Sequence, residues 1–163
     1  MHLQEFFDYK NTLMKDLVTS EEIVSLMGCS DNPASLAYTQ IFPYEFVPET
    51  VQEGMTFICY DVDIIRSAGN LLYNPSISIW VFTHKSLMRH PEGGVRVDRI
   101  CSAIAEKLHG SMWYGLGELE LYSVKRFAPM TDYQGKCMVF HAKEFSKFAD
   151  PKKTIPNNRR DGV

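Results

Sequence analysis

The chain has 163 residues, of which 45% are hydrophobic and 23% charged, with a formal net charge of −3. That length suits one globular domain and is too short for two ordinary ones, and the composition excludes a disordered polymer. The weakly acidic balance argues against a dedicated nucleic-acid binder. The charge is unevenly spread: −7 over Met1–Met55, +1 over Thr56–Ser146 and +3 over Lys147–Val163. Such a gradient can steer one subunit onto another.

Leu3 to Val18 reads as a helix, with Leu3, Phe6, Phe7, Met14, Leu17 and Val18 near the 3–4 spacing. Glu5 and Asp8 interrupt its first apolar residues, so the start does not read as a signal peptide. Thr19 and Glu22 match a capping box for a short second helix through Ile23, Leu26 and Met27, which Gly28 would stop. Ser30 to Met55 reads as mostly irregular, with Pro33, Pro43 and Pro48 and a short strand at Gln40–Phe42. Its aromatic stretch Ile41–Pro48, with Tyr44 and Phe46, fits an arm packed on a neighbour or a loop packed over its own core.

Thr56 to Asp63 is apolar on both faces, as in a central strand. Ile64 to Pro75, with Arg66, Gly69 and Asn70, reads as a long exposed loop or β-excursion. In Ser76–Thr83, Ile77, Ile79 and Val81 line one face of a strand, and Trp80 and Phe82 the other. Val95 to His109 is the clearest helix, its stripe formed by Val97, Ile100, Cys101, Ile104, Ala105 and Leu108, with Gly110 as its stop. A turn with Trp113 and Tyr114 follows. Glu118–Phe127 then alternates as a strand, with Leu119 and Leu121 against Tyr122 and Val124. In the last strand, Lys136–Phe145, Met138, Phe140 and Ala142 oppose Cys137, Val139 and His141. The expectation is an α+β fold: a roughly four-stranded mixed or antiparallel sheet, one long helix on one face and N-terminal helices. If the strands flanking the long helix are parallel neighbours, their crossover should be right-handed. Residues 1–146 form the predicted domain and 147–163 an extended basic tail, ordered when a partner holds it.

No catalytic constellation emerges. Cys29, Cys59, Cys101 and Cys137 form no C-x-x-C pair and imply a reducing compartment. Asp61 and Asp63 share a strand face, and Glu118 and Glu120 repeat the spacing. A metal-dependent nuclease would need Asp61, Asp63 and Glu120 together with a base such as Lys125. Alternating acids more often mark a solvent face. His2, His84, His90, His109 and His141 form no H-x-x-x-H or H-E-x-x-H pair. Gly93–Gly94 before a helix lacks the rest of a phosphate-binding motif. No apolar run approaches the ~20 residues of a membrane span. A small-ligand-binding domain using the aromatic loop is a further alternative.

The element order from Leu3 to Phe145 resembles the tail-terminator or tail-completion proteins of long-tailed bacteriophages. The features that carry it are the opening helix, Ile41-Phe42-Pro43, the strands Thr56–Tyr60 and Ile77–Phe82, the helix near Val97–Leu108 and the closing strand pair. The resemblance implies a hexameric ring of identical copies that caps the tail tube and joins it to the head connector. It implies no cofactor and no chemistry, with DNA passing through the lumen. It places the chain in the virion tail or neck, after assembly in the host cytoplasm. Tyr44, Phe46, Arg66, Trp113, Tyr114, Lys152, Lys153, Arg159 and Arg160 are the candidate interface residues. The segment Ile64–Pro75 and the basic tail are longer than a minimal member needs.

Overall fold

The computed structural model describes residues 3–28, 31–66, 72–112, 118–142 and 146–147. Helices α1 (Leu3–Thr19) and α2 (Glu21–Leu26) open the chain, followed by a 3₁₀ turn at Pro33–Leu36. Strands β1 (Ile41–Phe42), β2 (Thr56–Arg66) and β3 (Leu72–His84) come next. Helix α3 (Arg96–Leu108) and strands β4 (Leu119–Phe127), β5 (Tyr133–Ala142) and β6 (Ser146–Lys147) complete the fold. The sheet order is β1-β2-β3-β5-β4, with β6 pairing the far end of β3. Among the described strands only β1 runs parallel to its neighbour. The predicted α+β class and the long helix on one face hold.

Several local expectations do not. The capping box does not form: α2 is capped at Ser20 without a side-chain bond, and the Thr19 hydroxyl donates instead to Lys15 O at 2.7 Å. A Thr still inside a helix finds its own turn's carbonyl before it can cap the next helix. Ile64–Pro75 is not wholly a loop, because β2 and β3 stay paired through Ile64↔Pro75, Ile65↔Asn74 and Arg66↔Tyr73; residues 67–71 lie outside the described residues. Pro75 fits because Ile58 N–H points to Gln40 O, toward β1, so even-numbered β2 residues turn their polar groups outward. Pro75, opposite Ile64, then faces its nitrogen away from β2. On that side β3 changes partner, from Ser146 at Tyr73 to His141 at Ser76, so no ladder bond is lost.

The last strand starts at Tyr133, three residues before the expected Lys136. The first alternation also fails: β4 slips register between Leu121 and Ser123, a bulge that returns Val124 to the helix side beside Leu121 and Met138. Tyr122 stacks on His141 on the opposite face, with centroids 4.3 Å apart. Finally, β3 and β4, which flank α3, are not neighbours; β5 lies between them.

The core has two parts divided by the sheet. On the helix side, Leu13 and Leu17 of α1, Ile23 of α2 and Val97, Ile100, Ile104 and Leu108 of α3 bury against Ile58, Tyr60, Ile77, Ile79, Val81, Met138 and Phe140. Gly110, with φ +76°, ends α3 as expected. On the other side Phe42, Phe57, Cys59, Phe82 and Tyr133 form an aromatic cluster, with Phe46, Trp80 and Phe127 packed on it. Gly135 is required within that strand pairing. A Cβ there would lie 1.9 Å from Val81 O and 2.6 Å from Phe82 Cα.

Candidate assembly interface

The segment 43–55 closes the aromatic half of the second face. Phe46 stacks on Phe42 with centroids 4.0 Å apart, and both lie beside Phe57. Gln52 N–H donates to Tyr133 Oη at 2.7 Å, and the Tyr133 hydroxyl donates to Gln52 O at 3.1 Å. The Cys59 thiol donates to Phe46 O at 3.6 Å, and burial pushes that thiol up to about 12. Phe46 is therefore half-buried on its own sheet, whereas Tyr44, 45% accessible, projects outward.

Further along the strands the same face turns polar, and no helix or aromatic cluster among the described residues covers it. Asp61, Ser78 and Val139 lie in one row across the sheet, and Asp63, Ser76, His141 and Glu120 in the next. Asp63, Glu120, Tyr122 and His141 are exposed. Asp63 and Glu120 are three strands apart, or ~14 Å at the usual strand spacing. Asp61 is already engaged: its Oδ1 accepts from Val62 N–H at 2.8 Å and pairs with Lys10 Nζ at 2.6 Å. Asp61, Asp63 and Glu120 are thus not brought together. No group of three or more His, Cys, Asp or Glu side chains suited to a metal ion occurs among the described residues.

Lys10 organises the β2 edge in a way the sequence did not signal. Its ammonium also donates to Pro43 O at 3.0 Å, and its carbonyl accepts from the Tyr60 hydroxyl at 2.6 Å. Beyond β1, no described strand pairs this edge of β2, and Asp61 covers its Val62 N–H there, a common protection of edge strands. The opposite edge, β4, is protected differently, by its bulge and by the exposed Glu120, Lys125 and Arg126. Arg96 was also missed. It is 7% accessible, donates to Leu87 O and to Leu26 O, and so ties the end of α2 to the start of α3. Desolvation lowers its pKa.

Exposed large apolar residues fall mainly along the two lateral sides of the sheet. Phe7, Tyr38, Tyr44, Val47 and Val51 lie on α1 and the segment around β1, and Tyr122 and Val124 lie on β4. Arg66 pairs through its backbone with Tyr73, and its side chain lies outside the description. Trp113, Tyr114, Lys152, Lys153, Arg159 and Arg160 lie outside the described residues. Among the described residues no helix is long and apolar enough to cross a membrane.

A mixed sheet with helices on one face, and a second face covered at one end by an aromatic cluster, defines an α+β protein. The chain belongs to the YomW family, whose model matches residues 8–142. No curated protein matches it. Among solved structures, a chain in the virion of a native gene transfer agent particle shares the fold. The TM-score is 0.52 at 14% identity, over 84% of this chain and 94% of that one.

Proposed function

We propose that the chain is a structural protein of a phage or phage-like virion, and within it a ring-forming tail terminator. In this role it caps the tail tube and joins it to the head connector, without cofactor or catalysis. The observation that carries the reading is the fold shared, over nearly the whole of both chains, with a component of a gene transfer agent virion. Membership of the YomW family, read here as phage-associated, agrees with it.

The two sides of the sheet support a ring in particular. One carries exposed Tyr38 and Tyr44 beside β1. The other carries exposed Glu120, Lys125 and Arg126 with Tyr122 and Val124. Two different surfaces favour a head-to-tail contact, which closes into a ring when the rotation allows. We take the ring to be a hexamer, with Tyr44 at the contact between copies and Phe46 supporting it from beneath. Arg66, Trp113 and Tyr114 face ring neighbours, the tail tube and connector proteins. DNA passes through the lumen without specific readout. The protein assembles in the host cytoplasm and ends in the tail or neck of the virion. The direct test adds purified protein to tail tubes that lack a terminator. Occupied tube ends that then accept heads support the role; tubes left bare refute it.

A further inference from the structure

A groove of about 660 Å³ opens between the end of α1, the helix α2 and the 3₁₀ turn Pro33–Leu36. Its walls are mainly apolar, from Val18, Val24, Pro33 and Ala34, with Glu21 at the rim. That volume lies within the ~300–1,000 Å³ usual for binding clefts. Acids outnumber bases around it: Asp16, Glu21, Glu22 and Asp31 against Lys15 and the buried Arg96 at Leu26 O. Such a cleft suits a short extended peptide that offers an apolar residue between cations.

The chain itself contains one. Its C-terminal segment reads Lys152-Lys153-Thr154-Ile155-Pro156, followed by Arg159-Arg160. We propose that residues 148–163 of one copy dock in this groove of a second copy. Ile155 and Pro156 lie on the apolar wall, and the two basic pairs lie over the acids around it. The deciding observation is charge: the most basic part of the chain, +3 over Lys147–Val163, matches the most acidic part, −7 over Met1–Met55.

Chain direction favours a second copy over the same one. Lys147 pairs with Leu72, at one end of β3. Arg96, at the start of α3, holds Leu26 O of α2 and is itself bonded through its N–H to Met88 O, just past the other end of β3 at His84. Leu72 and His84 are ~40 Å apart along an extended strand. A tail entering its own groove must run back along the whole sheet. A tail entering a neighbour's groove need not make that return. The inference deepens the assembly reading and rests on copies meeting one another.

The test uses the full chain with the photoreactive residue benzoylphenylalanine in place of Ile155, prepared from equal amounts of heavy- and light-isotope protein. After irradiation, the expected cross-links join position 155 to peptides within 18–34 and carry mixed isotopes. Glu21→Lys with Glu22→Lys, both exposed and so compatible with folding, should lower that yield about tenfold. Adding Lys152→Glu and Lys153→Glu should restore it. Ala34→Trp, which fills the groove from an exposed position, should lower it without changing charge. Cross-links confined to single-isotope pairs, landing elsewhere, or indifferent to these changes overturn the proposal. The mass of the same sample separates the two claims: an oligomer without this cross-link overturns the docking alone, whereas a monomer overturns the assembly reading as well.

Discussion

The two faces of the sheet are covered to different degrees. The helix side is covered over its centre, because α1, α2 and α3 each present an apolar stripe to Ile58, Tyr60, Ile79, Met138 and Phe140, and only its β4 margin at Val124 is exposed among the described strands. The opposite side is sealed only at one end, where Phe42, Phe46 and Tyr133 close over Phe57 and Phe82. Toward Ser76, Ser78, Val139 and His141 it stays open. Stability therefore concentrates in the helix layer and the aromatic end. Among the described residues, the open half and the two lateral edges carry no such layer.

The strongest way to break this contrast is to remove a side chain from a sealed region. Phe82→Ala should cost ~3–5 kcal/mol, and Ile104→Ala ~2–5 kcal/mol, measured by urea denaturation. If either matched a surface substitution, that region would not be the packed one. Arg96→Met keeps the stem and removes the donors to Leu26 O and Leu87 O, so it should cost ~1–3 kcal/mol in the same measurement.

A pH series sharpens the contrast. Burial raises the Cys59 and Cys101 thiols from 9.0 to about 12. Between those values the unfolded thiols ionise while the folded ones keep their protons. The folded state then binds more protons, and stability falls as pH rises above 9.0. Thermal melts from pH 8 to pH 11 should show a falling midpoint, and Cys59→Ala with Cys101→Ala should flatten the fall. Both thiols should also resist alkylation in the folded protein. The smallest effects belong to the open half. Ser78→Ala should change stability by less than ~0.5 kcal/mol. Tyr122→Ser, which removes the stack on His141, should cost at most ~1 kcal/mol. Yet Tyr122→Ser should weaken assembly, read as a shift in oligomer mass with concentration.

Regular apolar periodicity made much of this fold legible. The α3 stripe and the Ile77–Ile79–Val81 face of β3 are where the spacing puts them. The misses have local causes. Gly69, Asn70 and Pro75 are loop signals, yet the hairpin runs through Pro75 because β3 changes partner there and no N–H is needed. The β4 bulge breaks a period of two that Leu119 to Val124 otherwise suggest. The interface was less legible. Phe46 carries the same aromatic signal as Tyr44, but its stack on Phe42, four residues earlier, depends on how the chain bends between them. Lys10 and Arg96 act on carbonyls far away in sequence, Pro43 O and Leu26 O, which no spacing rule reaches.

The central claim is that open edges with different surfaces meet head to tail in a closed ring. Native mass measurement of the full chain, with negative-stain imaging of the same sample, tests it most directly. The expected result is a ring with six times the 18.7 kDa chain mass. A strict monomer at high concentration that also fails to join tail tubes would contradict it.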